Sequence, residues 1–132
     1  MATPENSFIA GVHRYLPDDV YKMKNYNVYT GGIADCWYSG VTKDLWIEYK
    51  HIVVPARATT MIVPNLSALQ LEWLTDRKRE GRNVAVVVGC KEGAVILEDA
   101  ALWETGLSAG EFRSAIISRR SAAEYIDGFV NR

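Results

Sequence analysis

The sequence predicts an α/β fold: a mixed central sheet flanked by helices, in the order α-β-β-β-α-β-β, with a helical tail. Three observations carry this. A capped, amphipathic helix opens the chain, and two strand-like runs, Ile33 to Tyr38 and Leu45 to Val54, follow on either side of a turn-rich link. A helix pattern then precedes Asn83 to Gly89, an apolar and β-branched run of the kind found in strands covered on both faces. At 132 residues the chain makes one domain with room for a real core. We divide it into a core over 1–98 and a helical extension over 99–132, packed on that core or forming a dimer surface.

Each element has a local reason. Thr3 can cap the first helix, Pro4 suits its first position, and Phe8, Ile9, Val12 and Leu16 form its apolar side. Pro17-Asp18-Asp19 breaks it. Tyr21 to Tyr29 reads as an irregular polar and aromatic stretch, and Tyr26 and Tyr29 suit either base stacking or half-buried strand positions. Ser39 to Asp44 is the turn-rich link. The strand from Leu45 runs through His51-Ile52-Val53-Val54 and ends at Pro55, and 55–65 is a loop.

Ser67-x-x-Gln70 marks a helix start with a capping box, Leu69, Trp73 and Leu74 form the buried side, and Gly81 ends the helix. Lys91-Glu92-Gly93 turns into a last strand, Ala94 to Leu97. In the tail, Ser108-x-x-Glu111 and Ser121-x-x-Glu124 look like two helix starts. Phe112, Ile116 and Ile117, then Tyr125, Ile126 and Phe129, are their apolar stripes.

The chemistry concentrates at Asp35, Glu48 and Lys50. A strand alternates its faces, so Glu48 and Lys50 share one face while Leu45, Ile47 and Tyr49 cover the other. Asp35 lies on the neighbouring run, which brings two carboxylates beside one lysine. Carboxylate oxygens suit Mg²⁺, which keeps several waters and binds one or two carboxylates plus a substrate phosphate. The lysine can orient the attacking water or steady charge on the phosphate. A second acid-x-Lys triplet, Asp76-Arg77-Lys78, falls on the helix pattern. There its two end residues point about 200° apart, as a solvated face would have them.

With Gly31-Gly32-Ile33-Ala34-Asp35, Glu48-Tyr49-Lys50 and the glutamine of Leu66 to Leu74, the chain resembles the PD-(D/E)XK nuclease superfamily. Within it, the likeness is to small phage and bacterial VRR-NUC and Holliday-junction-resolvase-like nucleases, over roughly residues 5 to 97. Ala34 stands where a proline is usual in that family, which removes some turn rigidity and leaves the acid in place. The resemblance implies a restriction-endonuclease-like core. It also implies that Asp35, Glu48 and the Tyr49 backbone carbonyl hold Mg²⁺, or Mn²⁺ as a substitute, that Lys50 positions the water, and that Gln70 faces the substrate. Gln70 has a competing reading as a helix cap. Glu5 has two as well, a first-helix acid near the metal or a complement to the helix dipole.

Composition limits the alternatives. Fifteen Lys and Arg against sixteen Asp and Glu leave the chain near neutral, whereas DNA-binding domains are visibly basic. Lys22, Lys24 and Asn25 are candidates to approach nucleic acid. Arg77 and Lys78, with Arg79 and Arg82, form either a basic rim or a solvated helix face. No segment approaches the ~20 apolar residues of a membrane span, and the first residues lack the basic and apolar regions of a signal peptide. Cys36 and Cys90 lie in apolar runs, as buried thiols of a reducing cytosol do, either bacterial or of a phage-infected host. His13 and His51 have no zinc-ligand spacing. The expected activity is a metal-dependent DNA endonuclease, with branched DNA implied by resemblance alone and two sites supplied by a homodimer. The alternative is a non-catalytic binding module on a nuclease scaffold.

Overall fold

A computed structural model describes residues 3–26 and 31–132. Helix α1 (Pro4–His13) starts where Thr3 accepts the Asn6 amide hydrogen bond at 3.1 Å. Strands β1 (Tyr21–Lys24), β2 (Cys36–Ser39) and β3 (Asp44–His51) form an antiparallel meander. A short β4 (Met61–Ile62) and helix α2 (Ala68–Arg79) then carry the chain across to β5 (Val84–Cys90), which runs parallel to β3. A parallel pair needs such a crossover, because a tight turn cannot join its ends. Strand β6 (Gly93–Leu97) returns antiparallel, and the sheet order is β1-β2-β3-β5-β6. Three further helices, α3 (Ala100–Thr105), α4 (Ala109–Ala115) and α5 (Arg119–Asn131), complete the chain, with β7 (Leu107–Ser108) pairing with β4.

The sheet separates two apolar clusters. On one side Cys36, Tyr38, Leu45, Ile47, Tyr49 and Val87 pack against Phe8, Ile9 and Val12 of α1 and Ala122, Ile126 and Val130 of α5. On the other, Val84, Val86, Val88 and Leu97 meet Leu74, Trp103 and Phe112 of the remaining helices. All seven residues of β5 are buried, as the two-sided apolar run predicts. Among the described residues no helix is long and apolar enough to cross a membrane, and Cys36 and Cys90 are buried free thiols.

Several local expectations are corrected. The stretch read as irregular opens with strand β1, which supplies the first of the three strands in the expected order; Tyr29 lies outside the described residues. Strand β2 begins at Cys36 rather than Ile33, and one further bond, from the Asn25 N–H to the Asp35 carbonyl at 2.7 Å, continues its pairing with β1. Strand β3 ends at His51 rather than Val54. Leu69 is 60% exposed rather than buried, because it lies against the Gly31-Gly32 turn and not the core. The last helix starts three residues earlier than its Ser-x-x-Glu signature suggests: Ser118 is the cap and accepts the Ser121 N–H at 3.0 Å. Ile116 and Ile117 are not on a helical stripe. Ile116 is the extended cap residue of α4, and Ile117 pairs with Ala94. That close pairing requires Gly93, whose φ is +153° and where a Cβ would lie 2.1 Å from the Ile117 carbonyl oxygen. Helix α3 and the β4–β7 pair had no counterpart in the pattern.

The tail also answers part of the assembly question. Phe112 and Ile126 are each 1% exposed within this chain's own core, and Tyr125 and Phe129 pack partly buried against it. Phe112 and Ile126 are thus taken up by this chain's own core, while Tyr125 and Phe129 keep part of their surface exposed.

Candidate functional site

The site forms where β3 outruns β2. The β2–β3 register ends at Cys36 opposite Ile47, so the next outward amide of β3, that of Tyr49, has no strand to pair with. Asp35 takes it: its Oδ2 accepts the Tyr49 N–H at 2.9 Å. A strand residue sends its N–H and C=O to the same side, so the Tyr49 carbonyl faces the edge where Asp35 lies. The alternation along β3 holds as expected. Ile47 and Tyr49 point into the α1–α5 cluster, and Glu48 and Lys50 point to the other side, toward the start of α2.

Glu48 is 1% exposed, and it is the one charged side chain of the buried set among the described residues. Its Oε2 accepts from Gln70 Nε2 at 3.1 Å and lies 3.6 Å from Lys50 Nζ. Its Oε1 is buried with no hydrogen-bond partner. Burial chiefly, and then the Asp35 carboxylate, pushes the Glu48 carboxyl up to about 8, against the opposing pull of Lys50. Glu5, half-buried at the start of α1, is raised by burial and by Asp35, while Lys50 and Lys24 draw it down. Glu5 thus belongs to the same electrostatic cluster as Asp35, Glu48 and Lys50.

Gln70 caps its helix and also reaches the acid and lysine of β3. Its Oε1 accepts the Ser67 N–H at 3.0 Å, closing the capping box of α2, and also accepts from Lys50 Nζ at 3.1 Å. Its Nε2 is left to donate to Glu48. Only this amide orientation gives two donors an oxygen and a carboxylate an N–H. The cap is what aims the side chain.

The candidate nucleic-acid residues separate into two groups. Lys22 and Lys24 line a cleft of about 370 Å³ between α1 and β1, with Asn6, Ile9, Ala10, His13 and Tyr26. Lys24 donates to Asn6 and lies 5.6 Å from the Tyr26 ring centre, and Asn25 follows directly on the strand. Arg77 and Lys78 are on α2 instead. Arg77 makes a double contact with Glu80 at 2.8 and 3.1 Å, Arg79 pairs with Asp76 at 3.0 Å, and Lys78 donates to the Glu98 carbonyl at 3.0 Å. These side chains make contacts within their own helix and to its neighbour.

A buried chain of polar groups was missed. His13 Nε2 is 2.7 Å from the Tyr38 hydroxyl, which is 2.6 Å from the Tyr49 hydroxyl. Burial first, then Lys22 and Lys24, lowers His13 to about 4, so at neutral pH it is an uncharged partner for the Tyr38 hydroxyl. The three residues lie on three elements, and spacing along the chain gives no signal of their meeting.

The residues fit a hard divalent cation. A buried carboxylate oxygen without a partner, a second carboxylate beside it and a main-chain carbonyl make an oxygen donor set of the Mg²⁺ type. Among the described residues no group of three His, Cys, Asp or Glu side chains is gathered closely enough to hold a metal unaided. Two carboxylates with the remaining positions filled by water and phosphate oxygens is how Mg²⁺ is usually held.

No family model matches the chain, and no curated protein matches its sequence. Among solved structures it is similar to that of Archaeoglobus fulgidus Hjc, a Holliday junction resolvase from an archaeal hyperthermophile. The superposition has a TM-score of 0.56 at 13% identity and covers 92% of this chain and 97% of that one. The match shows a shared fold, and at that coverage it extends over the helical tail as well as the core.

Proposed function

We propose that the chain is a divalent-metal-dependent DNA endonuclease. The observation that carries this is the convergence of Asp35, Glu48, Lys50 and Gln70 around a buried Glu48 oxygen that no N–H donor of the protein reaches. An unpaired buried acceptor is costly, and a cation is the partner that the surrounding oxygens suit. Asp35, Glu48 and the Tyr49 carbonyl would hold Mg²⁺ or Mn²⁺, with Glu5 near enough to reach it through water. When bound, the ion supplies positive charge at the scissile phosphate and a more acidic water.

The chain's own groups do the rest. Gln70 anchors the Lys50 ammonium beside Glu48, where it can orient the incoming water and offset charge growing on the phosphate. The carboxylate of Asp35 is held by the Tyr49 amide, so it meets the substrate in one orientation. Lys22 and Lys24 give the DNA backbone a cationic cleft beginning beside Glu5, where Tyr26 offers a face for a base. Four-way DNA is the substrate to test first, because the structural neighbour is a Holliday junction resolvase.

The test is cleavage of linear, nicked, flapped and four-way DNA with Mg²⁺ or Mn²⁺, beside the Asp35→Asn variant. Asparagine keeps an acceptor for the Tyr49 N–H and removes the charge, so the fold is retained. The expected result is metal-dependent cleavage by the natural protein and none by the variant at equal melting temperature. Equal cleavage by both would remove the reading. Tight junction binding without cleavage under any metal would favour the non-catalytic module.

A further inference from the structure

A cavity lies beyond the carboxylate cluster, at the end of the parallel strand pair. It has a volume of about 630 Å³ and is lined by His51 to Val54, Lys91, Glu92, Arg113 and Ile116, which is within the range of about 300–1,000 Å³ usual for small-molecule sites. Its walls are aliphatic: Ile52, Val53 and Val54 from the segment after β3, and Ile116 from the end of α4. Val53 is 91% exposed, although it lies three residues after Lys50 and the neighbouring Ile52 and Val54 are half-buried. Lys91 and Arg113 stand at the rim with one acid, Glu92, so cations exceed acids by one. One guanidinium N–H of Arg113 donates to the Pro55 carbonyl, and Arg retains further donors on the same fork.

The cavity begins one residue beyond Lys50, at His51. His51 lines it and also lines a smaller hollow with Thr3, Pro4 and Glu5, and the charge of Glu5 is felt together with those of Asp35 and Lys50. A strand leaving the carboxylate cluster along β3 would meet these apolar walls and the two cations at their rim. An aliphatic wall and a modest positive rim match a group that has a flat apolar face at one end and a single negative charge at the other. An unpaired nucleotide is such a group.

We propose that this cavity receives one unpaired nucleotide of the DNA strand adjacent to the scissile phosphate, its base against Ile52, Val53, Val54 and Ile116 and its phosphate at Lys91 and Arg113. This rests on the nuclease reading. It adds a preference for substrates with an unpaired or easily unpaired base beside the cut, because extruding a paired base costs a few kcal/mol.

The test uses the full chain with Asp35→Asn to hold the complex uncut, and four-way DNA carrying 2-aminopurine at successive positions around the cleaved bond. Fluorescence is expected to rise several-fold at one position next to that bond, because aliphatic walls do not quench the probe as stacked bases do. Val53→Asp and Lys91→Glu, both at exposed positions, should abolish that rise. In the otherwise natural protein they should slow cleavage of fully paired substrate more than cleavage of substrate with a mismatch beside the cut. Uniform signals at all positions, or a rise that survives Val53→Asp, would overturn the proposal while cleavage by the natural protein still upheld the nuclease reading. Absence of DNA binding and cleavage altogether would overturn both.

Discussion

Glu48 pays for its position with an acid constant far from that of a free carboxyl, and the sign of that shift sets a pH dependence. Its carboxyl moves from 4.5 to about 8 on folding, through burial first and Asp35 second. Between those values the folded chain holds a proton that the unfolded chain has released. The contribution to stability is thus complete below the unfolded value and declines as pH rises, until it is gone near 8. A bound cation requires the ionised form, so it competes with that proton and binds more tightly as pH rises through the same window. The melting temperature of the metal-free protein should therefore fall across that window, and Glu48→Gln should flatten the fall. Mg²⁺ should restore stability most at the alkaline end. A Glu48→Gln curve parallel to the natural one would show that the buried acid does not drive the dependence. Lys50 enters the same balance from the other side. Lys50→Met should slow single-turnover cleavage strongly at saturating DNA while leaving DNA affinity nearly unchanged. Because the lysine lowers the Glu48 value, the variant's rate profile should also shift to higher pH. A lost affinity with an unchanged saturated rate would make Lys50 a phosphate anchor instead.

Elements, rather than residues, decide whether Gln70 reaches the site. A row of rings ties α2 to the sheet: Tyr21 to Trp37 at 5.8 Å, Trp37 to Trp46 at 6.2 Å and Trp46 to Trp73 at 5.3 Å between centres. Trp73 lies one turn along α2 from Gln70, on the same side of the helix. The Trp46–Trp73 contact therefore sets the height at which the helix start meets Glu48. Trp73→Leu is expected to lose about 1 kcal/mol of stability, as for one aromatic pair, yet to reduce cleavage as much as Gln70→Ala does. Trp37→Leu, two rings away from Trp73 in the row, should cost at least as much stability, since Trp37 also touches Tyr21 and donates to Asp44, with little effect on rate, and equal rates in the two tryptophan variants would remove this argument. The same elements show what the sequence could disclose. Period-two alternation placed Glu48 and Lys50 on one face, and Ser67-x-x-Gln70 located the start of α2, because both are local rules. The extra reach of Gln70 to Lys50 and Glu48 depends on how far α2 leans on the sheet, which no spacing encodes. Ser118 was passed over for Ser121 because both are serines three residues apart and only packing selects between them. The chain from His13 through Tyr38 to Tyr49 joins three elements, so it became visible only once they were assembled.

At the scale of the whole molecule, the tail is part of the globule and this changes what an assembly test can mean. Helix α5 packs on α1, β3 and β6, with Ala122, Ala123, Ile126 and Val130 buried there. The Val130 carbonyl also accepts the Thr42 and Lys43 N–H groups at 2.9 and 3.1 Å, which fixes the β2–β3 turn. The meander that carries Asp35 and Glu48 is thereby clamped at one end by the last helix of the chain. Paired cuts in a branched substrate still call for two sites, and a two-fold dimer remains the simplest way to supply them. Ile126 is not available to such a surface, because it is taken up by this chain's own core. A charge at Ile126, which is 1% exposed, is consequently expected to act on folding and not on association. Ile126→Asp should cost about 3–5 kcal/mol, the range for an uncompensated charge or a large defect in a core. Cleavage and the melting transition should be lost together, at every protein concentration. Truncation after residue 118 should do the same, since it removes the clamp with the helix. The checks are thermal denaturation and sedimentation over a range of concentrations. An Ile126→Asp protein that melted normally but sedimented as a smaller species would place the tail back at an interface between two copies.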